Sequence, residues 1–390
     1  MSLAGWLILI GLIASCAEPK PSGVDLEPVE PIAPKPATEV SVSPLAPVRW
    51  ADVEGWLDDD PSLVLEAFQR SCRALRWREE WQAVCARATE LSGMSEAAVR
   101  AYFEDNFVPH QMRQSNGETE GLLTGYYVPD LRGSRNPSPA YPYALYKRPE
   151  DLLTIDLSEI YPDLNHYRLR GRLDGNKVIP YWDREQINSE GQPLAGQELF
   201  WVSDPVELFF LHVQGSGRII FDDGSSVMVN YADQNGHRYH SVGQYLLDQG
   251  IMQPHEMSMQ NIRAWARRNP DQVDTLLNQN PSYVFFRELA QDVTSPPGAQ
   301  GVALTPGRSL AVDPRYIPLG TPVFLNTYWP GTDQPLNRLM VAQDTGGAIK
   351  GPVRGDFFWG MGDQAGHQAG RMKQAVRMWI LLPKGSEQLP

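Results

Sequence analysis

Short runs rich in aromatic and β-branched residues fill two stretches of this chain, and helical patterns separate them. The first block opens near residue 121 with GLLTGYYV and continues through KVIPYW, ELFWV, ELFFLHV, GRIIF and SVMVNY. Such runs, bounded by Gly, Pro and Asp, read as strands. Asp223-Gly224 between the last two reads as a hairpin turn. A helical interlude follows at 243–250, at 256–268, and after Asn269-Pro270. The second block is PSYVFFREL, GVALTP, SLAV, TPVFLNTY, RLMVAQD, DFFWG and VRMWILLP. No internal repeat of fixed period is present. The expected fold is mainly β, with helices ahead of the first block and between the two.

The helices ahead of the first block occupy residues 50 to 107. Asp60-Pro61 is a strong helix start, with Asp as N-cap and Pro in the first turn. Val64, Phe68, Cys72 and Leu75 then recur at helical spacing. Trp81, Val84, Cys85 and Ala88 form a second pattern. Ser95-Glu96 opens a third, with Val99, Tyr102 and Phe103 on one face. In one straight helix Cys72 and Cys85 would be about 20 Å apart, whereas a disulfide needs Cα atoms within roughly 7 Å. A bridge therefore requires a turn, for which residues 76–79 are the candidate. An oxidising compartment would favour the disulfide; two buried thiols on a helix hairpin are the alternative.

A length of 390 residues allows two ordinary domains. The formal net charge of −13 argues against nucleic acid as a partner, because a polyanion needs a basic face. Three dispersed cysteines exclude a disulfide-framework miniprotein and a Cys₄ zinc site. The one long apolar run, Leu7 to Ala14, is too short to span a bilayer comfortably. It leads through Ser15 into Cys16, a pattern resembling a bacterial lipobox. Residues 1–15 then read as a lipoprotein signal peptide and Cys16 as the acylated residue. Several acyl chains would hold the protein to lipid, at about 0.8 kcal/mol per buried CH₂. Ala17 after the cysteine resembles an outer-membrane destination. Residues 16–49 read as a tether, Pro-rich and extended to about Val48.

Among possible catalytic motifs, Asp344-Thr345-Gly346 after an apolar strand has the form of an aspartic protease signature. Such a site needs two aspartates sharing a proton, and the chain has no second D-[ST]-G. His212, His237 and His240 lack the convergent partners of a zinc site, so no metal and no cofactor is expected. Gly215-Ser216-Gly217 matches neither a nucleophile elbow nor a dinucleotide loop. The sharpest signal is Asp313, Asp344 and Asp356, each at a strand edge beside Gly or Pro. Converging acids raise the pKa of one of them. A carboxylic acid kept protonated near neutral pH is what glycosidic cleavage needs. Structural aspartates capping turns fit the same spacing.

The run from Ser309 to Leu325, with DTGGAIKG and Asp356, resembles the three-aspartate (3D) domain. With TGYYVP at 124–129, ELFFLHVQGSGRI at 207–219, YADQNGHRYHSVG at 231–243 and NPSYVFF at 280–286, the chain resembles the membrane-bound lytic murein transglycosylase A family over about residues 50–385. The resemblance implies a double-psi β-barrel domain, a smaller β-barrel domain inserted into it, and a groove between them. On this reading residues 50–127 and 286–385 form the first domain and 128–285 the second.

The resemblance also implies a lyase on the periplasmic face of the outer membrane, acting on peptidoglycan glycan strands. It cleaves the β-1,4 bond between N-acetylmuramic acid and N-acetylglucosamine and leaves a 1,6-anhydro ring. Asp356 corresponds to the family's single catalytic aspartate. Asp344, with Gly346 and Gly347, would bind substrate or tune Asp356, and Asp313 would be structural. Thr124, Gly125, Tyr126, Tyr127, Gln214, Ser216, Gln234, Asn235 and Trp359 are the expected substrate contacts; core packing is the competing role for the aromatic ones. Partners from wall-synthesis or wall-degradation complexes suit this setting, and the sequence names none. Two other readings stay open: a glycoside hydrolase using Asp344 and Asp356 as a pair, and a non-catalytic wall-binding module.

Overall fold

The computed structural model describes residues 43–189 and 191–386. The signal peptide, Cys16 and most of the tether read from the sequence lie outside the described residues. The chain enters a sheet at Leu45–Pro47, which pairs with Phe107–Met112, inside the segment read as tether.

Six strands close on themselves. In barrel order they are Lys373–Pro383, Pro322–Tyr328, Pro335–Asp344, Ser309–Val312, Arg354–Met361 and Glu120–Val128, the last pairing back with Lys373–Arg377. Two of the pairings are parallel: Ser309–Val312 with Pro335–Asp344, and Arg354–Met361 with Glu120–Val128. Alternation sends Leu123, Leu310, Val312, Val323, Leu325, Met340, Phe357 and Met378 into one buried cluster. Each such side chain contributes about 1.5–3 kcal/mol by leaving water. Gly121 has a specific task here. A Cβ on it would lie 1.8 Å from the Val353 carbonyl oxygen, so only glycine lets these two backbones meet.

The N-terminal helices Leu65–Leu75, Glu79–Ala88 and Glu96–Asn106 form where their apolar spacing predicts. Asp60 caps as expected by accepting from Ser62 N, but the first turn, Pro61–Val64, is 3₁₀. The helices bury Phe68, Trp81, Phe103 and Phe107 with Phe324 and Trp379 of the barrel. Cys72 and Cys85 form a disulfide, with Cα atoms 5.3 Å apart across the turn.

The second sheet has the order Val284–Glu288, Ser226–Gln234, Ser216–Ile220, Asp130–Ser134, Glu198–Val202 and Tyr143–Tyr146. A single bridge between Lys147 and Phe286 joins its two ends. One expected strand of this block is a helix. The run ELFFLHV lies in Pro205–Gln214, where Asp204 caps the N-terminus by accepting from Val206 N and Glu207 N, and Gly215 ends the helix at φ 77°. Burial on nearly every side removed the polar stripe that marks a helix, so its apolar run imitates a strand. GVALTP likewise belongs to no strand and contributes one isolated bridge, Pro297 to Ala303. The helices Val242–Asp248, Met259–Arg268 and Val273–Leu277 follow the expected interlude.

Candidate active site

Alternation along two parallel neighbours builds one polar face. Asp356 lies opposite Thr124, and Phe358 opposite Tyr126. These four share a side of the sheet, while Leu123, Gly125, Phe357 and Trp359 take the other. The contacts agree. Thr124 Oγ1 donates to Asp356 Oδ1 at 2.5 Å, and the Tyr126 and Phe358 rings stand 5.1 Å apart. On the opposite side the Phe357 and Trp359 rings are 4.6 Å apart, and a Cβ on Gly125 would strike the Trp359 indole.

The third strand of this face supplies its floor. Ala311 is the register partner of both Asp356 and Asp344. The two acids therefore flank one small side chain, their Cα atoms roughly 10 Å apart by strand spacing. Asp344 Oδ1 accepts from Ala299 N and Thr345 N, each at 2.9 Å, and Oδ2 accepts from the Tyr126 hydroxyl at 3.0 Å.

The two carboxylates differ electrostatically. Asp356 is half-buried, and burial pushes its pKa up to about 6. The Thr124 hydrogen bond and the Arg354 charge oppose that rise, and the Asp344 charge adds to it. Asp344 is also raised by burial, against the pull of its two backbone donors, Tyr126 and Arg168. Burial, then the two aspartate charges, hold the Tyr126 phenol neutral. Asp313 behaves in the opposite way. Burial would raise it, but Arg315 and the Gly351 N–H outweigh that and keep it below the usual range. Its bonds to Arg315 and to Gly351 N, 2.6 and 2.8 Å, pin the loop between the Asp344 and Asp356 strands.

Other expected site residues are placed elsewhere. Tyr127 is buried with its ring against Gly366; its hydroxyl accepts from Arg263, and its backbone N donates to Gln214 Oε1. Asn235 is 1% exposed, and its amide bonds Trp182 O, Pro281 O and Tyr283 N. Ser216 accepts from Asn230, whose amide also reaches Pro297 O. Gln234 ends its strand half-buried. Gly346 packs close to Ile349, while Gly347 faces open space. Trp359 packs beside Trp329 and Phe357.

Several positioning groups went unread in the sequence. Arg354 Nη2 donates to Thr124 Oγ1 at 2.9 Å. Gln343, fully buried, accepts from Ser309 and donates to Ser71 and to Ala67 O. Ser71 donates on to Gln300, beside the Ala299 N–H that holds Asp344. Apart from Ser309 and Gln343, these partners lie more than two hundred residues apart, so no local pattern marks them. Among the described residues no cluster of His, Cys, Asp and Glu could hold a metal.

The stretch that carries Asp313, Asp344 and Asp356 matches the 3D domain model, over residues 308–382. The model of the MltA specific insert domain matches residues 122–287. The chain is 33% identical over 279 residues to membrane-bound lytic murein transglycosylase A of Escherichia coli K12, covering 70% of this chain and 68% of that one. It therefore belongs to the MltA family. The structure of MltA from Neisseria gonorrhoeae superposes with TM-score 0.76 at 38% identity, covering 88% and 93% of the two chains. E. coli MltA with bound chitohexaose gives TM-score 0.63 at 27% identity, covering 88% and 96%. Among the described residues no helix is long and apolar enough to cross a membrane.

Proposed function

We propose that this protein is a lytic transglycosylase of peptidoglycan, with Asp356 as its one acid/base. The observation carrying this reading is the contrast between the two acids. Asp356, raised to about 6 by burial, keeps its proton into the mildly acidic range and has Oδ2 open, whereas the oxygens of Asp344 are committed to two backbone N–H groups and Tyr126. One free acid suits an intramolecular cleavage better than a pair activating water.

The Asp356 carboxyl gives its proton to the glycosidic oxygen as the bond from muramic acid C1 to that oxygen breaks. The C6 hydroxyl of the same sugar bonds to C1, and its proton passes to the Asp356 carboxylate. The site returns to its starting state and no water is consumed. Holding the nucleophile within the substrate gains from proximity. Asp344 fixes Tyr126 and keeps a negative charge across the Ala311 floor, which raises Asp356 and favours cationic character at C1. Glycan contacts fall to the backbone at Gly346 and Gly347, with Ser216 and Gln234 from the second sheet; Tyr126, expected as a contact, is buried with its hydroxyl on Asp344. Chitohexaose in the E. coli relative supports a glycan ligand.

The two sheets then correspond to two domains, 50–127 with 289–385, and 128–288, the expected boundary at 285 moving past strand Val284–Glu288, which pairs in the second sheet, and the glycan lies between them. The relatives are named as membrane-bound. For this chain the anchor is an acylated Cys16 after removal of residues 1–15, placing the enzyme on the periplasmic face of the outer membrane.

Mass spectrometry of muropeptides released from purified sacculi tests the reading. Anhydro products, one water lighter than hydrolytic ones and absent with Asp356→Asn, are expected. Reducing-end products would move the chain to the hydrolases. Anhydro products persisting with the variant would dismiss Asp356.

A further inference from the structure

Arg354 stands two residues before Asp356 on the same strand, and no expectation from the sequence gave it a role. Its guanidinium is fixed from three sides. Nη1 donates to the carbonyl oxygens of Leu122 and Gly355, and Nη2 donates to Thr124 Oγ1 at 2.9 Å. It reaches Asp356 through the threonine hydroxyl rather than by a direct ion pair.

That geometry dictates where one proton sits. A guanidinium only donates, so the Thr124 oxygen must accept from it. A hydroxyl carries one proton, and among the described residues the acceptor within reach of Thr124 Oγ1 is Asp356 Oδ1, at 2.5 Å. We propose that Arg354 is a positioning residue that acts through Thr124. By filling the acceptor side of the hydroxyl, it makes Thr124 donate to Asp356 Oδ1, so that Oδ2 carries the proton delivered to the glycosidic oxygen. The assignment moves Thr124 from substrate contact to proton placement. It rests on Asp356 being the acid.

The surroundings leave few competing causes. The ionisable groups facing Asp356 are Arg354 on its own strand, Tyr126 on the neighbouring strand, and Asp344 beyond Ala311. Arg168, inside the 128–288 segment just before strand Arg170–Asp174, acts on Asp344. Ser309–Val312, between the two acid-bearing strands, contributes no ionisable side chain. Tyr126 and Asp344 are tied to each other, so the Arg354–Thr124 pair is the separate handle on Asp356.

The experiment is a double-mutant cycle read as kcat and KM against pH on soluble glycan strands, with Thr124→Val, Arg354→Met and the double variant. Each single variant should lower kcat about tenfold, the effect of one hydrogen bond to a charged group. Each should move the alkaline limb of the profile up by roughly one pH unit, because a donor or cation that favours the carboxylate is gone. KM should hold within about twofold, since no substrate contact is removed. The double variant should be no worse than the worse single one, because Arg354 works through the hydroxyl. Thr124→Ser should restore the limb. The limb does not depend on the fraction of active protein, and Arg354→Lys, which keeps the charge but loses the fork, is a second variant if Arg354→Met folds poorly; its limb should stay while kcat falls. Losses that multiply in the double variant would overturn the proposal. So would a rise in KM alone for Thr124→Val, or a shift with Arg354→Met and none with Thr124→Val. If Asp356→Asn keeps wild-type turnover, the underlying reading of Asp356 fails instead.

Discussion

The two six-stranded sheets close in different ways. The barrel carrying the aspartates is sealed by a ladder of five residue pairs between Lys373–Arg377 and Glu120–Thr124. The second sheet meets its own far end through one bridge, Lys147 to Phe286. Their polar residues differ to match. In the barrel Asp356 stands on the polar face with Oδ2 still open, beside an Asp344 whose two oxygens are occupied. Around the second sheet Asn235 and Arg184 are buried and spend their bonds mainly on backbone, and buried Asp233 pairs with Arg148 and Arg170. Proton transfer tolerates little positional error. The continuous ladder fixes Thr124 beside Asp356, whereas the polar groups of the second sheet are spent within it.

The largest test of this contrast is Asp356→Asn. Loss of the acid should lower kcat by about 10²–10⁴ while the protein stays folded. In the wild type, activity should fall as pH rises through about 6, the pKa of that group, followed by release of anhydro products.

Seam geometry comes next. Gly121→Ala forces a Cβ onto the Val353 carbonyl. It should cost about 3 kcal/mol, as overpacking does, and displace Arg354 and Asp356; urea titration and turnover should fall together. Opening the Cys72–Cys85 bridge, 13 residues apart, should cost about 3 kcal/mol. Because Ser71 joins Gln343 and Gln300 from that helix, turnover should fall beyond the loss of folded protein. Unchanged turnover would show the helices to be a mere support.

Asn235→Ala leaves partners of one buried amide unpaired, for about 2 kcal/mol of destabilisation. The pH profile should not move; a shifted limb would mean the second sheet takes part in the proton chemistry. The smallest effect concerns stability. An aspartate whose folded pKa is raised binds more protons folded than unfolded, so stability falls as pH rises from about 4 to about 6. Asp356→Asn should therefore be more stable than the wild type at pH 7, on the order of 1 kcal/mol. That gain should vanish below the unfolded pKa in thermal scans.

Much of the barrel was legible. Alternation and turn residues located its second-block strands within three residues at each end, and the family-specific segments pointed to Asp344 and Asp356. The helix Pro205–Gln214 was not legible, because burial on nearly every side erased its stripe. Strand Asp130–Ser134, with sequence DLRGS, has too little apolar bulk to register. Within the site, Arg354 and Gln343 went unread because their partners Thr124 and Ser71 are more than two hundred residues away.

The sequence by itself determined which residue types stand at which strand positions. Through period-two alternation that placed Thr124 and Tyr126 on one side and Gly125 on the other. It determined the caps, the glycine where two backbones meet, and the spacing that forbids a single helix from joining Cys72 to Cys85. Only the tertiary structure decided that Ala311 would lie between two acids, that Asp344 would be occupied and Asp356 free, and that an arginine would orient a threonine proton. Those outcomes depend on register between strands distant in the chain and on how much water each carboxylate loses. Neither quantity is local, so no window of residues encodes it.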